Sequence, residues 1–372
     1  YDWSQYAPTP NHFVDLNSTV NLEMIWVEPG TFTMGSSTTE TGRGNDETEH
    51  NVTLTKGFYL GKYEVTQTQY QAIMTGNTNG LSADPSRFAG NPNKPVERVS
   101  WNDIQIFLER LNDQQSGNIP VGWEYALPTE AEWEYTCRAG TTTAFSWGDT
   151  HSATLAKWNN APPATQTVDV GQYDPNPWGF YDMHGNVVEW TADAYQATYP
   201  SNLVIDPVTP GVSSSDRVYR GGSWGNGNPW LLRSAERTNK SPTYWDGYLG
   251  FRLAYKPIPN YPPTDLNSTA PLIIAENQPI GTVIGEFNAT HPDTNASLTY
   301  HLVSGTGDGN NSLFTMESNG TLKTASILDY ESGANLSIRV QVKDEYNASV
   351  EGNFTVALSN ANDPATGIVT IS

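Results

Sequence analysis

A proline-rich segment near residue 260 divides the sequence into two parts of different composition. Four of the seven residues from 257 to 263 are proline. Such a run forms a stiff, extended connection, because proline fixes its own φ angle and has no backbone N–H to donate. All 12 tryptophans and the single cysteine precede it. The sequence therefore predicts an N-terminal extension (1–21), a large domain (22–257), a linker (258–263) and a smaller domain (264–372).

The chain is strongly acidic, which argues against several classes of partner. Forty Asp and Glu residues oppose 19 Lys and Arg residues, and the formal net charge is −21. This charge would repel a polyanion, so we expect neither nucleic acid nor an anionic membrane surface as a partner. The sequence also lacks the run of about 20 apolar residues that crosses a bilayer, so we expect no membrane insertion in this chain.

The large domain predicts few helices and much irregular structure. Hydroxyl residues at capping positions mark three short helices, which begin after Thr66, Ser100 and Thr129. In the second helix, apolar residues between 104 and 111 recur at the spacing of one helix face. Beyond residue 140 the sequence is mostly Gly, Pro, Asn and aromatic residues. Tertiary contacts, turns or ions must hold that part, because it offers little regular secondary structure.

The smaller domain predicts an all-β sandwich. Turn residues separate short β-rich runs, and Asn319-Gly320 is typical of a tight hairpin between two of them. Several such runs separated by turns favour two packed sheets. The runs lie at 272–274, 281–285, 298–302, 314–316, 321–322, 336–342 and 354–358.

Seven motifs occur in order along the large domain and carry a family resemblance. They are MIWVEPGTFTMG (24–35), YEVT (63–66), PVERVSW (95–101), LPTEAEWEY (127–135), GFYDMHGNVVEW (179–190), RGGSW (220–224) and GFRL (250–253). Together they resemble the formylglycine-generating enzymes of the sulfatase-modifying factor family. The resemblance implies an α+β domain of the C-type-lectin-like kind, with a small twisted antiparallel sheet and much irregular structure.

The resemblance also places two catalytic, copper-binding cysteines just after the RGGSW motif. Here those positions fall at Asn226 and Leu231, and the single cysteine, Cys137, lies elsewhere. Neither an amide nor an aliphatic side chain can bind Cu(I) or exchange a disulfide as a thiolate does. We therefore expect no catalytic residue of this kind, no copper and no formylglycine synthesis. We interpret Cys137 as a small buried apolar residue.

Calcium is the metal that the large domain favours. The GFYDMHGNVVEW motif supplies two carboxylates with a glycine between them, and the resemblance implies a structural Ca²⁺ bound by Asp182, Gly185, Val187 and Glu189. The alternative is that the two carboxylates only cap backbone amides. We do not expect the family's other calcium site, because Lys157 brings a positive charge to the place of a ligand.

The smaller domain resembles a cadherin repeat through its acidic motifs at 275–277, 291–293, 328–331, 342–345 and 360–363. The resemblance implies calcium binding at repeat boundaries, and further cadherin-like repeats in the intact protein. His291 replaces one usual aspartate, which weakens one ligand set. The alternative is a bare sandwich with a solvated acidic end. The candidate ligands are Glu276, Asp329, Glu331 and Asp344.

These observations predict a non-catalytic binding module, secreted or at the cell surface. We expect a protein or glycan ligand to contact loops rich in Trp, Tyr and Asn, which combine large contact area with adaptable hydrogen bonds. Two alternatives stay open: an enzyme of unrecognised chemistry that uses the family groove, and a structural spacer in a surface adhesion protein. The candidate ligand-binding residues are Trp224, Asn226, Asn228, Trp230, Tyr244 and Trp245.

The loss of both cysteines predicts that the protein does not convert a sulfatase-type cysteine peptide into formylglycine, with or without added copper. Mass spectrometry of the incubated peptide checks this, with an active formylglycine-generating enzyme as the positive control. Aldehyde product above the level found with heat-denatured protein would contradict the prediction.

Overall fold

The structure, a computed structural model, describes residues 9–161, 165–260, 262–292 and 296–361. These residues form two compact units, and the chain passes from the first to the second between Ile258 and Pro259. Three predicted features lie outside the described residues: the first part of the N-terminal extension, and Asp293 and Asp363 of the cadherin-like motifs.

The described part of the first unit combines three helices with twelve short strands. The helices are α1 (Gln67–Met74), α2 (Trp101–Gln115) and α3 (Glu130–Arg138). The strands are β1 (Asn11–Asp15), β2 (Asn21–Val27), β3 (Gly30–Met34), β4 (His50–Leu54), β5 (Phe58–Gly61), β6 (Trp123–Ala126), β7 (Val188–Ala194), β8 (Val204–Ile205), β9 (Arg217–Arg220), β10 (Arg237–Lys240), β11 (Leu249–Phe251) and β12 (Ala254–Pro257).

The strands of the first unit form three small sheets. Their orders are β1-β2-β5-β12-β6, β10-β9-β7-β11 and β3-β4-β8. Most neighbours are antiparallel, whereas β11 runs parallel to β7 and β8 parallel to β4. The N-terminal extension supplies the edge strand β1, which pairs with β2 from Asn11 opposite Ile25 to Asp15 opposite Asn21.

The three helices begin where their capping residues predicted. Thr66, Ser100 and Thr129 each accept a hydrogen bond from the amide three residues later, and the side chain of that later residue bonds back to the cap amide. The apolar stripe of α2 is buried, and its Phe107 ring stacks on Tyr70 of α1 at 5.4 Å. No helix in the described ranges is long and apolar enough to cross a membrane.

A group of buried ion pairs, which we call the arginine network, joins α3 to β9, β10 and the 40–47 loop. At its centre Glu134, whose side chain is fully buried, accepts hydrogen bonds from Arg138, Arg220 and the amide of Gly35. In the part of the chain that the structure describes, six carboxylates share four guanidinium groups here. The members are Arg138, Arg220, Arg233 and Arg237 with Glu40, Asp46, Glu47, Glu130, Glu134 and Glu236.

The second unit is a sandwich of two four-stranded sheets around one apolar core. The sheet orders are β13-β15-β18-β17 and β14-β20-β19-β16, and the predicted hairpin at Asn319-Gly320 is confirmed, since it joins the antiparallel pair β17 and β18. The strands are β13 (Thr264–Ser268), β14 (Ile273–Ala275), β15 (Val283–Thr290), β16 (Thr299–Leu302), β17 (Phe314–Met316), β18 (Thr321–Thr324), β19 (Asn335–Lys343) and β20 (Ser349–Ser359).

The separate cores of the two units predict that the first unit, with β1 included, and residues 264–372 fold independently. Mild digestion with proteinase K should cut between 258 and 263 and leave two resistant fragments, because the described residues between β12 and β13 belong to no strand. Mass spectrometry of the fragments locates the cut. Degradation of the chain as one indivisible core would contradict the prediction.

The arginine network predicts that Glu134→Gln lowers the free energy of unfolding by about 3 to 5 kcal/mol, because it leaves buried guanidinium charge without its partner. Urea denaturation of the first unit measures the change. Glu109→Gln is the matched control: it removes the same charge from the exposed side of α2 and should change stability by less than about 0.5 kcal/mol. A loss below about 1 kcal/mol for Glu134→Gln would show that the network does not carry the fold.

Candidate functional site

A cavity of about 360 Å³ lies beside the segment that follows the RGGSW motif. Asn226 and Leu231, the two positions where the family resemblance places cysteines, both line it. Strands β9 and β10 and the 241–248 loop supply much of the remaining wall. Lining residues that sequence reasoning did not assign to a site include Tyr219, Arg220, Ser223, Glu236, Thr238 and Tyr248.

The two glycines of the RGGSW motif shape the wall of this cavity. Gly221 and Gly222 have φ angles of +94° and +68°, a region that side chains with a Cβ rarely adopt. A Cβ on Gly222 would lie 2.6 Å from the carbonyl oxygen of Leu231. Just beyond, Oδ1 of Asn226 accepts hydrogen bonds from the amide and hydroxyl of Ser223. Asn226 thus holds the loop closed at a position where the resemblance places a reactive thiol.

The single thiol of the chain is not part of the cavity. Cys137 is fully buried, with its sulfur 3.6 Å from Nε2 of His184, and burial raises the pKa of the thiol to about 12. Nδ1 of His184 lies 2.7 Å from the carbonyl oxygen of Leu232 and must donate to it, while Nε2 accepts from the amide of Ser146. Burial lowers the pKa of His184 to about 4. The interpretation of Cys137 as a small buried residue is therefore confirmed.

Three of the six predicted ligand-binding residues are half-buried aromatic residues that stabilise the loops. Nε1 of Trp224 donates to the carbonyl of Gly247 at 2.9 Å and so ties the 224–230 loop to the 241–248 loop. The Trp230 ring packs against Phe145, with ring centroids 5.9 Å apart. Tyr244 shares its hydroxyl with two neighbouring side chains of its own loop. Part of the surface of each of these three side chains is therefore taken up by contacts within the protein.

The other three predicted residues are accessible in different ways. Asn226 lines the cavity. Asn228 is exposed, and its side chain caps the short 3₁₀ turn Pro229–Leu232. Trp245 is 51% exposed, and the guanidinium group of Arg98 lies 4.7 Å from its ring centroid. The cavity and Trp245, connected through the 241–248 loop, form the candidate ligand surface.

The predicted calcium loop lies within a buried acidic cluster. Asp182 and Glu189 are joined there by Glu64, which accepts hydrogen bonds from the side chain of Asn186 and the amide of Val187. Burial, together with the charges of Asp182 and Glu189, raises the pKa of Glu64 well above its ordinary value. Glu64 was assigned no role in the sequence analysis. Its place between Tyr63 and Val65 in the YEVT motif indicates that the carboxylate is buried.

Two features of this cluster fit a cation, and one limits the fit. Oδ2 of Asp182 accepts from the amide of Gly171, but its buried Oδ1 has no hydrogen-bond partner. The carboxylates of Glu64, Asp182 and Glu189 all act on the guanidinium of Arg252, and when all three are ionised they carry more negative charge than this one group balances. Both oxygens of Glu189, however, already bind Arg252, and one also accepts from Trp133. Oδ1 of Asp182 is thus free to bind a cation, and Glu189 has at most a remaining lone pair to offer it.

The loop conformation itself depends on Gly185. Its φ angle is +120°, and a Cβ there would lie 2.2 Å from the carbonyl oxygen of Lys157. The Lys157 side chain is buried, and its ammonium donates to the carbonyl oxygens of Trp158 and Ala161. Burial lowers the pKa of this ammonium to about 8. The buried ammonium of Lys157 therefore lies at the place of the family's other calcium site, which the sequence analysis did not expect in this chain.

In the second unit the structure brings together three of the four predicted calcium ligands. Single carboxylate oxygens of Glu276, Asp329 and Glu331 lie within 4.8 Å of one another. Asp344 is not a member of this group. It accepts instead from Nε2 of His291 at 3.2 Å and from the amides of Tyr346 and Ala348.

This fold, with its cavity behind a double-glycine turn, defines the class of the protein. Residues 12–257 match the family model described as the sulfatase-modifying factor enzyme 1-like domain, and the chain therefore belongs to that family. Residues 271–359 match the cadherin domain model. Both predicted resemblances are confirmed.

Proteins that are similar to this chain carry different names. The bovine formylglycine-generating enzyme is 25% identical over 320 aligned positions, which cover 69% of this chain and 81% of the enzyme. The chaperone protein LppX of Paenibacillus barcinonensis is 31% identical over 253 positions, which cover 56% and 80%. Among solved structures, PvdO from Pseudomonas aeruginosa is 30% identical and Treponema denticola variable protein 1 is 25% identical. Each superposes with a TM-score of 0.58, and each alignment covers 67% of this chain and 100% of the other protein.

The buried acidic cluster predicts a calcium effect with a definite sign. Burial raises the pKa of Asp182 to about 6 from 3.8, so the unfolded state ionises first and stability falls as pH rises from about 4 to about 6. Above that range the cost is about 3 kcal/mol. In chelator at pH 7, Asp182→Asn should therefore not lower the melting temperature of the first unit. With added calcium, the wild type should gain more than the variant.

Differential scanning calorimetry of the full chain measures both effects. Asp329→Asn is the control, since it removes a carboxylate from the second unit and should leave the calcium shift of the first unit unchanged. Identical melting of the first unit in calcium and in chelator would favour the alternative, in which the carboxylates only bind backbone amides.

Proposed function

We propose that the protein is a non-catalytic binding module, secreted or displayed at a cell surface, that recognises a protein segment at the cavity beside Asn226 and Leu231. The observation that carries the proposal is the chemistry of the cavity wall. The fold keeps a preformed cavity of about 360 Å³, while the only thiol is fully buried elsewhere with a pKa of about 12. A cavity without its reactive group can still bind.

The surroundings of the cavity support recognition of a macromolecule. Trp245 presents about half of its surface to solvent, and tryptophan is a frequent centre of binding energy at protein interfaces. The neighbouring Gly225, Gly227 and Asn228 are exposed, so a chain can approach the loop backbone closely. Beneath them, the arginine network and the loop bond from Trp224 to Gly247 fix the wall in place. A rigid floor with exposed polar and aromatic loops loses little entropy when a ligand binds.

The cadherin domain supports the location outside the cell. Such domains are typically extracellular and commonly join in chains, so a second unit of this kind suits a protein that projects its first unit away from a surface. We propose that the group formed by Glu276, Asp329 and Glu331 binds Ca²⁺ in that setting, and that the Asp182 loop holds a structural Ca²⁺ in the first unit. Calcium then stabilises the two units and takes no part in chemistry.

Trp245→Ala tests the proposal in a screen of peptide and glycan arrays. We expect saturable binding of a peptide by the full chain, at least tenfold weaker in the variant. The melting temperature should change little, because half of the side chain is exposed. Phe13→Ala is the control, since it truncates an aromatic residue of similar exposure on β1 and should not affect binding.

Three outcomes would overturn the proposal. Binding that is indifferent to Trp245→Ala would place the ligand elsewhere. Binding of glycans alone would replace the protein ligand with a carbohydrate. The absence of any saturable ligand would favour the structural spacer.

A further inference from the structure

The cavity is lined by one carboxylate, that of Glu236, which has an oxygen without a hydrogen-bond partner among the described residues. Glu236 lies between Arg233 and Arg237, just before β10, and its side chain lines the cavity with 17% of its surface exposed. Oε2 accepts from Nη2 of Arg233 at 3.0 Å. Oε1 has no hydrogen-bond partner within the described ranges. Glu236, which lines the cavity, thus has one carboxylate oxygen that is free to accept a further hydrogen bond.

The partner of Glu236 is already saturated by other acids. Nη1 of Arg233 donates to Glu40 and Glu47, Nη2 donates to Glu47 and the carbonyl of Gly42, and Nε donates to the carbonyl of Trp230. Three carboxylates therefore share one guanidinium. The positive charge of Arg220, which also lines the cavity, is paired with Glu134 and Glu130. The local charge beneath the cavity is consequently negative.

We propose that the cavity recognises a positively charged side chain, the guanidinium of arginine or the ammonium of lysine, with Glu236 as its counter-ion. The inference rests on the proposed function and names the ligand class of the same site. Tyr219 and Tyr248 line the cavity beside Glu236, and the face of a tyrosine ring attracts a cation. The net charge of −21 also draws basic segments toward the chain.

The electrostatics around Glu236 favour the binding of a cation. Burial, followed by repulsion from Glu47, raises the pKa of Glu236 to about 7, while Arg233 and Arg220 act in the opposite direction and Asp46 adds further repulsion. Tyr219, which also faces Glu236, has a pKa raised by burial and stays neutral. A bound cation favours the ionised carboxylate, so binding of a permanently charged guanidinium should strengthen as pH rises through 7.

A pair of capped tripeptides tests the proposal directly. Acetyl-Gly-Arg-Gly-amide carries one positive charge, and acetyl-Gly-citrulline-Gly-amide has nearly the same shape without it. Saturation-transfer NMR with the full chain at pH 8 should show the arginine peptide binding at least fivefold more tightly. Between pH 8 and pH 6 its affinity should fall severalfold, while the affinity of the citrulline peptide stays constant.

Glu236→Gln should abolish both the arginine preference and the pH dependence, and Glu109→Gln should leave both unchanged. The pH series on the wild type decides the question if Glu236→Gln fails to fold. Equal binding of the two peptides, no binding of either, or a preference that persists in folded Glu236→Gln would overturn the assignment of Glu236. A peptide ligand that depends on Trp245 but is indifferent to Glu236→Gln would overturn this inference alone and leave the proposed function intact.

Discussion

Buried guanidinium groups are the constraint on which the first unit depends. Removing a charge from water is costly, and only dense pairing offsets it. Arg233 meets that demand with three carboxylates, and Arg220 does so with Glu130 and Glu134, two of the three acids of α3. Most of these pairs, such as Arg233 with Glu40 and Glu47, join segments far apart in the chain, so few other arrangements of these loops satisfy the same charges. The network thereby specifies one structure for a region poor in strands.

That rigid base separates the stability of the fold from the chemistry of the cavity. The double-glycine turn and the side chain of Asn226 hold the loop at a position where the resemblance expects a cysteine. The fold at this position therefore does not depend on a thiol, and the cavity is present with Asn226 and Leu231 in its wall. Recognition by loops on such a scaffold requires only new side chains, whereas catalysis would require a precisely placed reactive group.

Local features of the structure could be predicted from the sequence, and non-local ones could not. Capping residues such as Ser100 act within one helical turn, and Asn319-Gly320 acts within one hairpin, so both were read correctly. The family and its fold followed from motifs in fixed order. The cavity wall combines Tyr219 with Glu236, and the acidic cluster joins Glu64 to a loop more than a hundred residues away. No spacing rule links such residues, because tertiary packing alone brings them together.

The central claim is that the cavity binds a protein segment and performs no thiol chemistry. Site-specific crosslinking tests this claim most directly. A photo-crosslinking amino acid at position 231 lies in the cavity wall, and one at position 109 lies on the exposed side of α2. After irradiation with a peptide library, mass spectrometry identifies attached peptides. The account predicts a defined set of basic peptides attached at 231 and none at 109. Equal, unselective attachment at both positions would contradict it.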